Sequence, residues 1–128
     1  MTDAVRSAGA RERDTVLMAL EMLQSLAMPR SLTAIVMFLY VCENEGLIVS
    51  ELADIAGVTV PIAARFAKML AGEFSGCAVR PEARLLELRV GGDKRLRYVH
   101  LTEHGRRVRD QLDRLIHKAV AIGGGARA

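Results

Sequence analysis

Ser50–Gly72, SELADIAGVTVPIAARFAKMLAG, constrains this chain more than any other stretch. It reads as two helices joined by a tight turn. Ser50 is placed to cap the first, its hydroxyl accepting from an unpaired first-turn amide. Leu52, Ala53, Ile55 and Ala56 then face inward, and Gly57 can end the helix with positive φ at little steric cost. Thr59 caps the second helix, and Pro61 lies in its first turn, where a missing N–H costs least. Ile62, Phe66, Met69 and Leu70 recur at helical spacing. Ala53, a small residue at the turn, lets the two helices cross closely. Short helix, glycine turn and second helix make a helix-turn-helix. Such pairs also occur in proteins that never touch DNA, so the flanking chain has to decide its use.

The flanks are helical on one side and mixed on the other. A helix is predicted from Asp14, where Val16, Leu20, Leu23 and Ala27 recur at four, three and four, and Leu17 and Leu26 widen the stripe. Met18 and Met22 lie on another side, so this helix needs two partners, one of them a second subunit. Pro29 ends it. Ser31 or Thr33 opens a second helix to about Asn44, apolar nearly all round and therefore central, with Phe38 and Tyr40 in the core. Glu43–Gly46 stops it, and Leu47–Val49 is a short extended link into the motif. Beyond the motif, Gly72–Ala83 carries glycines and a proline and reads as a loop. Arg84–Val90 alternates, with Leu86, Leu88 and Val90 on one face, and Leu96–Leu101 is a second strand. The Gly91–Arg95 turn joins them into a β-hairpin. Thr102 caps a last helix whose seam is Val108, Leu112, Leu115, Ala119 and Ile122, with Asp110 and Arg114 paired on its solvent side.

A hairpin directly after a helix-turn-helix is a wing. The expected fold is mainly α with a small β-hairpin, an α+β winged helix-turn-helix flanked by N- and C-terminal dimerisation helices. Residues 14–122 form the domain, residues 1–13 a flexible N-terminus and residues 123–128 a flexible tail. Val16, Leu20, Leu23, Leu112, Leu115 and Ala119 are the expected dimerisation residues.

Charge gives the wing a use. Between Arg84 and Arg109 stand eight basic residues and three acids, a surplus greater than the net charge of +3 of the whole chain. Lys94, Arg95 and Arg97 cluster at the hairpin tip. Neutralising phosphates with Lys and Arg is the main source of affinity for duplex DNA. A hairpin kept soluble by charge is the plainer explanation of such a tip; its position after a helix-turn-helix favours DNA.

The run from Asp93 to Arg106, DKRLRYVHLTEHGR, resembles the MarR family of winged-helix transcriptional regulators. Asp93 and Arg95 match its Asp-x-Arg wing tip, and Leu101, Thr102 and Gly105 match the opening of its C-terminal helix. Ser50-Glu51-Leu52-Ala53 also looks like the family's entry to the motif. The resemblance covers roughly Ser31–Arg109. It implies a homodimer, held by the first and last helices, on a pseudo-palindromic operator in double-stranded DNA. It implies that Arg95 enters the minor groove while Asp93 orients the wing. It also implies a small phenolic or lipophilic effector, or cysteine oxidation, as a means of release. Three departures stand out. The second motif helix offers Pro61, Ile62, Ala63 and Ala64 where the family often has hydroxyls, leaving Thr59, Arg65 and Lys68 as its polar contacts. Gly72–Ala83 is a longer passage to the wing than is usual. The terminal helices are short, which makes for a smaller dimer interface.

The remaining composition sets limits. The chain has 128 residues, enough for one domain. It is 51% apolar and 4% aromatic, without Trp, so its core is aliphatic and its apolar excess asks for more cover than one subunit provides. No apolar run reaches bilayer length, and the N-terminus lacks the apolar segment of a signal peptide, so a cytoplasmic protein without a membrane partner is expected. Cys42 and Cys77 make no disulfide framework; Cys42 reads as a small buried hydrophobe, and redox activity at Cys77 is left open. His100, His104 and His117 match no metal-ligand spacing, and no nucleophile triad or phosphate loop is present. No enzyme, cofactor or metal is expected. The expected function is a DNA-binding transcriptional regulator. Two alternatives stand beside it: a winged-helix protein-interaction module using the apolar start of the second motif helix, and an architectural DNA binder with little sequence preference.

Overall fold

The computed structural model describes residues 16–26, 31–73 and 80–118. Among them are five α-helices and three strands in the order α1 (Val16–Gln24), α2 (Leu32–Glu43), β1 (Leu47–Ile48), α3 (Val49–Ala56), α4 (Val60–Leu70), β2 (Leu86–Val90), β3 (Arg97–Leu101) and α5 (Glu103–Lys118). The chain divides into two units, one spanning Leu26–Arg109, the other made of the segments on either side.

The Leu26–Arg109 unit is built on α2. Ser31 caps it, its hydroxyl accepting from Ala34 N at 3.4 Å. Ala34, Met37, Phe38 and Val41 are buried, at the three–four spacing of one helical face. Full burial of a side chain the size of Phe38 contributes about 1.5–3 kcal/mol. The helix is not enclosed all round, as its composition suggests: Leu32, Val36 and Leu39 are exposed on the opposite side.

The first motif helix starts earlier than its serine. Ile48 N donates to Glu51 Oε1 at 3.1 Å, so Ile48 is the capping position and Ser50 sits inside the first turn. The reason is tertiary. Ile48 is held extended by pairing with Tyr98 of β3, and the chain turns helical as soon as that pairing ends. Leu52 and Ala53 are buried as expected, whereas Ile55, off the arc they define, is exposed. Gly57 has φ 70°. Its N–H and that of Val58 return to Asp54 O at 3.2 Å and Ala53 O at 3.0 Å, closing the helix in a left-handed cap.

Thr59 caps α4 through Ile62 N at 3.4 Å, with Pro61 in the first turn. The buried stripe is Ala63, Ala67 and Leu70, shifted one residue from Ile62, Phe66 and Met69. Ile62 is exposed, and Phe66 and Met69 are half-buried. Both stripes are apolar, so periodicity alone could not choose between them. The alanine stripe wins because, with Ala53, it lets α3 and α4 pack closely.

The wing is larger than a hairpin. β2 and β3 pair antiparallel with Leu88 opposite Val99, and β1 adds to the other edge of β3 with Leu47 opposite Val99. The sheet order is β1-β3-β2. The extended link before the motif is thus a strand. Leu86, Val99 and Leu101 are buried on one face of the sheet, and Leu85, just before β2, is buried as well. Thr102 caps α5 as expected, accepting from Gly105 N at 2.9 Å, and Arg107 pairs with Glu103 at i,i+4.

In the other unit, Ala19 and Leu23 of α1 and Leu112 of α5 are buried, while Val16, Leu17, Leu20 and Ile116 are exposed. Leu115 is half-buried. Ala27, Pro29, Cys77, Ala119, Ile122 and both expected flexible ends lie outside the described residues.

Candidate nucleic-acid interface

α4 and the wing belong to one unit, and the chain ties them together at two points. Leu85 N donates to Leu70 O at 3.2 Å, joining the root of β2 to the last turn of α4. Leu85 O accepts from Thr102 N at 3.0 Å, so the same residue also anchors the start of α5. The second tie is ionic: Arg97 Nη2 reaches both carboxylate oxygens of Glu73 at 3.0 Å. The long passage between α4 and β2 is therefore closed by bonds on both sides of it. No local pattern in the sequence points to Glu73 as the partner of Arg97, since nothing local links residues so far apart in the chain.

The wing tip has its own order. Asp93 accepts from Arg95 N at 3.0 Å, and its carboxylate also faces the Arg95 guanidinium at 3.2 Å. The guanidinium, then the backbone N–H, hold the Asp93 carboxyl below its ordinary value. The Arg95 side chain is nevertheless 90% exposed. An ion pair that open is worth little and is readily exchanged for another anion. Lys94 beside it is exposed.

On α4, Arg65 and Lys68 are exposed, on the side opposite Ala63, Ala67 and Leu70. Thr59 precedes them with its hydroxyl engaged in the cap. Of the expected DNA residues, the fold brings Thr59, Arg65 and Lys68 onto one helix and Lys94 and Arg95 onto the tip, and pairs Arg97 with Glu73.

Several of the basic residues that concentrate charge in this region are held by acids. Besides Arg97, Arg89 pairs with Glu87, and Arg106 pairs with Glu45 at 2.7 Å. Glu45, which the sequence marks only as part of the stop after α2, is a further member of this network. It accepts from Leu101 N at 3.1 Å, extending the β1–β3 ladder with a side chain, and faces His100 Nδ1 at 3.4 Å. Burial resists its ionisation, but Leu101 N–H, Arg106 and His100 outweigh this and hold its carboxyl below the ordinary value. Among the described residues no three His, Cys, Asp or Glu side chains group so as to hold a metal. No helix among them is long and apolar enough to cross a membrane. Cys42 is half-buried on α2.

The wild-type MarR of E. coli, in its apo form, is similar in structure, with a TM-score of 0.52 over 88% of this chain and 78% of that one. This chain has a MarR-like winged-helix fold. At 16% sequence identity the likeness speaks to the fold alone. No protein-family model matches the sequence, and no curated protein matches it. The MarR-like fold accounts for the third strand as well as the hairpin, since β1 enters the sheet immediately before the helix-turn-helix.

Proposed function

We propose that this chain is a DNA-binding transcriptional regulator acting as a homodimer. α4 lies in the major groove, where Thr59, Arg65 and Lys68 face bases and phosphates, and the wing tip sets Lys94 and Arg95 on the flanking backbone or in the minor groove. The observation that carries the reading is the tip itself: Arg95 is almost wholly exposed, its backbone N–H is fixed by Asp93, and the wing is tied to the end of the recognition helix. Arg97 acts in this scheme as a fastener between wing and helix rather than as a DNA contact. The exposed apolar side chains of α1 and α2, among them Val16, Leu20 and Leu32, support a second subunit as their cover.

The test is binding of purified protein to fragmented genomic DNA at two salt concentrations, with the retained fragments sequenced. Retention that weakens with salt is expected. Arg95→Ala should lower affinity on all sequences alike and flatten the slope of log affinity against log salt by about one. An unchanged affinity and slope in Arg95→Ala would show that the tip does not touch DNA.

A second reading, a protein-interaction module, is favoured by one observation: Val60 and Ile62 are exposed at the start of α4. Such a protein would pass through a heparin or DNA resin without retention. An architectural binder would be retained but would enrich no particular fragments.

A further inference from the structure

The first turn of α4 is unusual for a DNA-reading helix. Val60 and Ile62 are 48% and 42% exposed, and Pro61 between them is exposed as well. The one hydroxyl there, on Thr59, accepts the cap bond from Ile62 N. The turn therefore offers methyl groups where hydrogen-bonding groups would be needed to read bases by polar contacts. Arg65 and Lys68 follow one and two turns later, both exposed, and Lys94 and Arg95 stand on the wing of the same unit. An apolar turn followed by exposed cations on the same helix is complementary to a polyanion that carries apolar groups on the floor of a groove. In the major groove of duplex DNA that group is the C5-methyl of thymine. It is the N-terminal part of a recognition helix that meets base edges.

We propose that Val60 and Ile62 are specificity-determining residues that read thymine methyl groups, so that preferred sites carry thymines opposite the first turn of α4. The inference rests on the DNA-binding reading and deepens it. Cytosine presents no methyl at that place and adds an amino donor that Val60 and Ile62 cannot satisfy. Burying one methyl is worth roughly a fourfold change in affinity.

The experiment uses the full chain and two forms of one fragmented genomic library, amplified with either thymidine or deoxyuridine triphosphate. The two forms share phosphates and hydrogen-bonding groups and differ only in the methyl. Selection from the thymine library should enrich a thymine-bearing motif. The most enriched duplex, remade with uracil, should bind roughly fourfold more weakly for each methyl contacted. The double variant Val60→Ala/Ile62→Ala should bind both forms equally and keep the wild-type salt slope. Folding is not at stake in it, because both positions are exposed and alanine is the better helix former. Equal binding of the two forms by the wild-type chain, a preference that survives in the double variant, or retention without any enriched motif would each overturn the methyl reading while leaving DNA binding in place. Failure of the wild-type chain to retain either form at low salt would overturn both, and would turn Val60 and Ile62 toward a protein partner.

Discussion

Gly105→Ala sets two ordinary effects against each other inside one residue. Gly105 lies in the first turn of α5, and alanine is favoured over glycine in a helix by about 1 kcal/mol. An added Cβ, however, would stand 2.2 Å from Leu85 O. That is roughly 1 Å inside an ordinary carbon–oxygen contact. The obstacle is backbone, and it is held: Leu85 N is bonded to Leu70 O, and Leu85 O to Thr102 N. Relief requires α5 to lift away from Leu85. That strains the Thr102 N–H bond to Leu85 O and the Thr102 hydroxyl bond to Arg84 O, at about 0.5–1.5 kcal/mol each. Overpacking adds about 1–3 kcal/mol. Less the gain in helix propensity, the net loss is about 1–5 kcal/mol. Urea unfolding followed by far-ultraviolet circular dichroism reads it as a lowered midpoint at constant slope. A midpoint that is unchanged or raised would mean that α5 and Leu85 are not held this closely, and the account of how the wing root is anchored would fall with it.

Other perturbations separate the roles assigned to individual side chains. Arg97→Ala should lower the unfolding midpoint modestly, since a pair this exposed is worth under about 1 kcal/mol. Its salt slope for DNA should stay at the wild-type value, and a drop as large as that of Arg95→Ala would make Arg97 a phosphate contact instead of a fastener. Glu45 has a folded-state pKa below its unfolded value, so its contribution is present above 4.5 and is lost as pH falls through the lowered pKa. Glu45→Gln should accordingly flatten the acid side of the stability profile below the ordinary carboxylate value of 4.5, and an acid limb as steep as wild type would remove Glu45 from the linkage. Thr59→Ala should cost about 1 kcal/mol through loss of the α4 cap, read by the same unfolding curve, and a neutral result would show that the cap bond contributes nothing.

Local rules carried much of the fold. Gly57, Thr59 and Pro61 punctuate the motif where they were expected to, because each acts through its own backbone or its nearest turn. Thr102 and the β2–β3 alternation were legible for the same reason. The wing tip was legible too, since the bond between Asp93 and Arg95 closes within two residues. The misses share a different cause. Ser50 lost the cap to Ile48 and Glu51 because a strand partner from β3 decides where the chain leaves the sheet. The pairing of Arg97 with Glu73 was not foreseen because the two residues lie across a long passage. The inward face of α4 was misjudged because two apolar stripes compete and only close packing against α3 prefers the alanines.

By itself, then, the sequence determined the order of helices and strands, the turn between α3 and α4, the hairpin and the concentration of positive charge in it. Hydrogen bonds and backbone preferences that close within a turn determine such things. The tertiary structure decided which apolar side chains are buried and which stand open on α4, which acids the arginines pair with, and how the wing is anchored to α4. Those depend on residues that meet only when the chain has folded, where the closeness of approach, and not hydrophobicity alone, selects the contact.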